Sequence, residues 1–368
     1  MDAKPVRVAG NHDCLDGMSP SSARCFEMLN TINYKARKDL KGGILNSMKK
    51  KTSISVGLIT FAVLAVLLAV APINQLVSNA QTSIRPAGFT NRNIFALTSD
   101  NAFYVLTPGA TQYRRLGRAD TAGGNLIGAD FRPADGRLYG LTDTGNIFTI
   151  AISTTSVGPA TLVSTMSPRF TGGLCSLMDF NPVVNALRVA GCNDQNLAVV
   201  NSNGGNLNMT VAQTRYTYAA GDPNAGQDPE LTGGAYNNNR NGATTTIYYV
   251  VDHDKDTLAT IATLANGSSA TATGVLKTIG RFVDGAGNRL NMSPTTDMDI
   301  YTDPNGNNFL IGQTTRLLFT INLAAVNTNL AVGTTQNIVV ARGAAGIQLP
   351  NNSIQPLSGG VFDIMIQP

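Results

Sequence analysis

The chain has 368 residues, with 27 Lys and Arg against 23 Asp and Glu (formal net charge +4), 43% hydrophobic residues and no Trp. Residues 1–80 hold ten of the basic and five of the acidic residues, so residues 81–368 carry 17 against 18, a net −1. No basic stripe is left there for nucleic acid, which needs clustered Lys and Arg, and two histidines in the whole chain exclude His-rich metal catalysis.

Residues 1–47 read as an extension or a cytoplasmic tail. Ser22 to Met48 has helical spacing at Phe26, Leu29 and Ile32, with Lys35, Lys38 and Lys41 on its later part. His12, Cys14 and Cys25 are unrelated residues on this reading, because the cysteines lie far outside the short loops of zinc sites. Residues 48–80 form a secretory leader: the basic Lys49-Lys50-Lys51, the uncharged run Ile54 to Ala71, and the small-residue site Ser78-Asn79-Ala80. The run is also near the roughly 18 residues that span a bilayer. The rival is therefore a signal-anchor transmembrane helix with a cytoplasmic tail, in the orientation that the preceding basic residues dictate. Both export the chain from residue 81 onward; Pro72 and the Ser-x-Ala site favour cleavage before Gln81. No cysteine follows the apolar run to carry a lipid.

Residues 81–92 read as a linker and 93–368 as an all-β domain. Arg137 to Leu141 and Asn146 to Ile150 are short runs rich in β-branched and aromatic residues, separated by Thr142-Asp143-Thr144-Gly145, which is a hairpin signature. The pattern recurs at Ile94 to Leu97 with Phe103 to Leu106, and at Asn308 to Gly312 with Leu317 to Ile321. Ahead of the hairpins stand apolar strands with an Asp at a comparable place, around Asp130, Asp179, Asp299 and Asp363, and a further copy with Ala235 instead. The intervals of 49, 56, 64 and 64 residues suit blades of four strands, and the markers predict a β-propeller of five blades. The last copy has a first strand with nothing after it, and the first hairpin has nothing before it. Pairing the two closes the ring and removes exposed sheet edges. A β-sandwich is the competitor, but it does not explain the repeat.

Gly128-Ala129-Asp130-Phe131-Arg132-Pro133-Ala134-Asp135-Gly136-Arg137-Leu138-Tyr139-Gly140-Leu141, with Asp179-Phe180-Asn181-Pro182-Val183-Val184-Asn185-Ala186-Leu187-Arg188-Val189 after it, resembles the bacterial exported domain-of-unknown-function family 4394. The resemblance covers about Asn93 to Pro368 and includes Gly234-Ala235-Tyr236 and Thr245-Thr246-Ile247-Tyr248. It implies a propeller-like exported domain, with no established activity and no catalytic residues to carry over. The pair Cys175 and Cys192 stands as a departure from the family's pattern.

If Phe180 and Leu187 pair across the turn Asn181 to Ala186, Cys175 and Cys192 stand opposite each other on the same two strands. Cross-strand Cβ atoms lie within roughly 4.5–5.5 Å, so a disulfide is expected in an exported domain, with two free buried thiols as the alternative. No C-x-x-C spacing marks a redox-active pair.

Asp130, Asp179, Asp299 and Asp363 carry the candidate chemistry. First strands of propeller blades lie nearest the channel, where four carboxylates would hold a hard structural cation such as calcium or divide into acid and base. The plainer reading is that each Asp accepts backbone N–H bonds shortly before a turn and fixes a blade corner. Asp252-His253-Asp254-Lys255-Asp256 alternates carboxylates like a calcium loop but lacks its Gly and Glu, so it reads as a solvated hairpin tip. Asp303-Pro304-Asn305-Gly306-Asn307 reads as a turn. His253 is the only histidine after the leader, and no nucleophile elbow accompanies it.

Two functions are expected from this pattern. The first is a non-catalytic binding or scaffold module of the cell envelope or surface, secreted, periplasmic or anchored through residues 54–71, with an envelope or surface ligand and no nucleic acid. The second is a carbohydrate-active hydrolase using two channel aspartates as acid and base, which the absence of Trp platforms weakens.

Overall fold

The computed structural model describes residues 89–367 apart from 111, 202–206, 262–268, 315–316, 345–346, 349–353 and 356–360. The extension, the leader or anchor at 48–80 and most of the linker, with His12, Cys14 and Cys25, lie outside the described residues. Among the described residues no helix is long and apolar enough to cross a membrane.

The strands run in chain order, short and rich in Val, Ile, Leu, Phe and Tyr. The first are β1 (Ile94–Thr98), β2 (Ala102–Leu106) and β3 (Arg114–Arg118). Next come β4 (Leu126–Phe131), β5 (Leu138–Thr142), β6 (Asn146–Ile152) and β7 (Val157–Thr165). After them stand β8 (Ser176–Asn181), β9 (Ala186–Gly191), β10 (Asn196–Asn201), β11 (Leu207–Ala212) and the short β12 (Thr217–Tyr218). Then come β13 (Leu231–Tyr236), β14 (Tyr248–Asp252), β15 (Thr257–Ile261) and β16 (Val275–Val283). Last are β17 (Asp297–Thr302), β18 (Asn308–Thr314), β19 (Leu317–Ile321), β20 (Gln336–Ala344), β21 (Ile347–Gln348), β22 (Ile354–Gln355) and β23 (Val361–Ile366).

Consecutive strands pair antiparallel into sheets ordered β4-β5-β6-β7 and β8-β9-β10-β11, while β23 from the chain end joins β1-β2-β3 as their first strand. That pairing runs Ile94↔Ile366 to Leu97↔Asp363, as the matching ends of the sequence predict. The expected hairpins also form in register, with Ile94↔Leu106, Leu138↔Ile150 and Leu310↔Ile321. The sheets β13-β14-β15-β16 and β17-β18-β19-β20 are fused into one larger sheet, because β16 and β20 pair in parallel from Gly280↔Gln336 to Val283↔Val339. Tight turns carry the left-handed residues they require: Gly145 at φ 85° between β5 and β6, and Asn185 at φ 51° between β8 and β9.

The first strands β23, β4, β8, β13 and β17 are buried along their whole length. Each touches the next in a closed cycle: β4 against β8, β8 against β13, β13 against β17, β17 against β23, and β23 against β4. Four-stranded units whose first strands meet in a cycle around one axis make a β-propeller. An apolar layer fills the space between each sheet and the next. Phe95 meets Phe131 at 5.5 Å between the first two sheets, and Tyr139 meets Phe180 at 5.2 Å between the second and third. The outer strand β3 is largely exposed, as expected for a strand at the rim.

Candidate functional site

The buried first strands bring the marker aspartates to the joints between sheets. A strand alternates its side chains, and an Asp leaning across a joint meets the free N–H groups of the next first strand. Asp130 Oδ2 accepts the Phe180 N–H at 3.0 Å, and its Oδ1 accepts the N–H of Phe131 at 2.6 Å. Asp179 Oδ2 accepts the Tyr236 N–H at 2.5 Å. Asp299 accepts from Ile366 and from Ile300, each at 2.6 Å, and Asp363 accepts the N–H of Ala129. The expected corner role is thereby corrected in part. The expected backbone N–H bonds do form, and Asp130 and Asp299 each take one from the next residue of their own strand, but the aspartates lie within strands and reach across the joint, so they clasp the neighbouring sheet as well.

Sequence reasoning missed a further clasp. Asp297, two residues before Asp299 and so on the same face of β17, accepts the Ile364 N–H at 3.0 Å. Its partner follows Asp363 directly, just as Phe180 follows Asp179 and Tyr236 follows Ala235. The signal that could have found it is the alternation of β17, which puts any acid two residues from Asp299 on the same face.

Removed from water, the carboxyls are pushed toward their protonated form. Burial pushes Asp130, Asp179 and Asp363 well above the ordinary carboxylate range, and neighbouring carboxylates add to this: Asp299 for Asp130, Asp130 and Asp299 for Asp179, and Asp297 for Asp363. Burial likewise raises Asp297 and Asp299 to about 7, against the backbone N–H bonds that favour the ionised form. Asp130 shares a hydrogen bond with Asp179, as Asp297 does with Asp363, so each pair can hold a proton between its members. Asp179 Oδ1 is buried without a donor of another kind. Among the described residues these carboxylates form no group of three whose oxygens all lie within 4.8 Å of one another; the group that does is Cys175, Cys192 and His253.

Cys175 and Cys192 form a disulfide with Cα atoms 5.6 Å apart. The register Phe180↔Leu187 and Ser176↔Gly191 places them opposite each other, as the sequence arithmetic requires. The tip after β14 is less solvated than expected at its ends: Asp252 and Asp256 are buried. Asp252 accepts from the Tyr218 hydroxyl and from Lys255 N, while Asp256 accepts from Met292 N and Arg289 Nε. Asp303 keeps its turn role, accepting from the backbone N–H groups of Asn305 and Asn307.

Arg188 and an open cleft were also not foreseen. Buried Arg188 donates to Gln213 Oε1 at 2.6 Å and Thr271 Oγ1 at 2.7 Å, which ties β9 to the segment before β16. The cleft, of about 530 Å³, opens beside the β16–β20 junction and is lined by Asn224, Gln227, Lys255, Arg281, Arg289 and Gln336 among others. Its groups suit hydrogen bonding to a polar ligand.

The profile of the family described as "Domain of unknown function (DUF4394)" matches residues 119–341. No curated protein matches the chain. A structural genomics protein of unknown function from Bacteroides thetaiotaomicron VPI-5482 is similar at 11% identity and TM-score 0.40, over 75% of this chain and 62% of that one. An auxiliary nutrient binding protein from the same organism is similar at 14% and 0.33, over 59% and 55%. A luciferin-regenerating enzyme is similar at 12% and 0.39, over 76% and 88%. The chain thus spans less than two thirds of the length of either Bacteroides protein.

Proposed function

We propose, since this chain belongs to the DUF4394 family of domains of unknown function, that it works outside the cytoplasm as a non-catalytic binding or scaffold module of the cell envelope or surface. The observation that carries this reading is the use made of the marker aspartates. Asp130, Asp179, Asp299 and Asp363 accept backbone N–H groups across joints between sheets, so the groups an acid–base pair would need are engaged in holding the ring. We read that ring as five blades, each beginning with one member of the cycle β23, β4, β8, β13 and β17. Export rests on the leader or anchor at residues 48–80, and the polar cleft beside Lys255, Arg281 and Arg289 is the surface we assign to a ligand.

The test is single replacement of Asp130, Asp179, Asp299 and Asp363 by Asn, with thermal melting and hydrolysis assays on cell-envelope glycans for each variant. The expected outcome is a shifted melting temperature and no hydrolysis in either the parent or the variants. Glycan cleavage by the parent, lost in one variant whose melting temperature holds, would favour the hydrolase.

The expected structural cation does not fit this geometry: among the described residues no three of Asp130, Asp179, Asp299 and Asp363 bring their oxygens within 4.8 Å of one another, whereas calcium needs many converging oxygens.

A further inference from the structure

The start of β8, the end of β9 and the tip after β14 bring three metal-ligating side chains together from distant parts of the chain. One sulfur each from Cys175 and Cys192 and one imidazole nitrogen of His253 lie within 4.8 Å of one another, and all three residues are half-buried. The two Sγ atoms stand 3.8 and 3.5 Å from the Leu231 carbonyl oxygen, which fixes them against the start of β13. His253 is anchored by its own backbone N–H, which donates to the Glu230 carbonyl at 3.1 Å. A disulfide needs no imidazole beside it, whereas two thiolates and an imidazole are three of the four ligands of a tetrahedral zinc site.

We propose that Cys175, Cys192 and His253 form a redox-gated site for a borderline-soft divalent cation of the zinc type, closed as a disulfide and opened by a dithiol reductant. In the opening step the reductant's two thiols are oxidised to a disulfide. The Cys175–Cys192 bond is cleaved, and the two electrons and two protons pass to its sulfurs. Cation binding then displaces those two protons as the thiolates become ligands. His253 supplies the third ligand, and water takes the fourth position, since the three residues are only half-buried. A small disulfide oxidant reverses the sequence: it takes two electrons from the thiolates, leaves as two thiolates, restores the protein disulfide and releases the cation.

The test uses the full chain carrying Cys14→Ser and Cys25→Ser, so that Cys175 and Cys192 are its only thiols. Cobalt(II) serves as the spectroscopic probe and zinc(II) as its competitor. The reduced chain should take up one cobalt with sulfur-to-metal absorption and tetrahedral visible bands, bleached by one equivalent of zinc, and the oxidised chain should show neither. His253→Ala, which keeps the disulfide and the fold, should weaken zinc binding in the reduced chain by at least the roughly 10–100-fold that loss of even an outer-shell partner costs. Circular dichroism on each reduced sample checks that folded protein is being titrated. Equal binding by oxidised and reduced chains, unchanged affinity in His253→Ala, or a reduced chain that stays unfolded with zinc present would each overturn the proposal.

Discussion

The joint between β8 and β13 and the joint between β13 and β17 bury their first strands equally but hold them together differently. At the first, Asp179 reaches over and accepts the Tyr236 N–H at 2.5 Å. At the second, the marker position is Ala235, and the backbones approach directly: a Cβ on Gly233 would lie 2.9 Å from the Asp297 Cα. The polar links there are neutral. Asn239 Nδ2 donates to the Ile300 carbonyl at 3.2 Å, and Asn308 Nδ2 donates to Asn238 Oδ1 at 3.1 Å. This is also the joint whose outer strands, β16 and β20, pair in parallel and fuse the two sheets. A seam in this ring is thus secured either by a buried carboxyl on the inside or by backbone pairing on the outside. Only the carboxyl seams carry a dependence on pH.

The largest effect should come from removing a strand that serves two carboxyl seams at once. Deleting everything from Ser358 takes away β23, the partner of β1 and the donor to Asp297 and Asp299. Val361, Phe362, Ile364, Met365 and Ile366 are buried there, at roughly 1.5–3 kcal/mol each. That exceeds much of the roughly 5–15 kcal/mol that stabilises a domain, so loss of cooperative melting by circular dichroism is expected. A truncated chain that melts like the parent would refute closure through β23.

Next in size is an attempt to convert one seam into the other. Ala235→Asp puts a carboxyl into a joint where Gly233 already brings the strands into contact and Ala235 is fully buried. The expected loss is roughly 3–5 kcal/mol, the range for an uncompensated buried charge, read by urea denaturation. A neutral result would mean that carboxyl clasps can be inserted at any joint.

Smaller and comparable losses should come from breaking each device alone. Asp179→Ala leaves the Tyr236 N–H buried without an acceptor, at roughly 1–3 kcal/mol. Gly280→Ala drives a Cβ into the Gln336 carbonyl oxygen and must open the parallel β16–β20 pair, at roughly 1–3 kcal/mol for overpacking. If the two devices are independent, the double variant loses the sum of the single losses.

The smallest effect separates the seams by pH. Asp297 and Asp299 ionise at about 7 in the folded chain, above their ordinary value of 3.8. Between these values the folded state binds more protons than the unfolded one, so their contribution is complete below about 4 and is lost as pH rises through about 7. The melting temperature should therefore fall by a few degrees from pH 6 to pH 8, at about 2–4 °C per kcal/mol for a domain of this size. Asp297→Asn should flatten that slope, while Gly280→Ala should leave it unchanged. A melting temperature that rises across this window would contradict protonated clasps.

Local sequence determined the strands, their hairpins and the cysteine pairing, because period-two patterns and turn residues act over a few neighbours. Phe180 opposite Leu187 was enough to place Cys175 opposite Cys192. The matching ends at Ile94 and Val361 likewise announced the pairing of β1 with β23, since an unpaired first strand needs a partner. What each aspartate bonds to was decided only by the tertiary structure. An acid in a buried strand looks the same in sequence whether it caps its own turn, holds a cation or reaches the next sheet, and Asp130 meets Phe180 fifty residues away. The partnership of His253 with the Cys175–Cys192 pair belongs to the same class. Its ligand atoms come from elements that share no local pattern, and only the packing of β8, β9 and the β14 tip around one axis brings them within 4.8 Å.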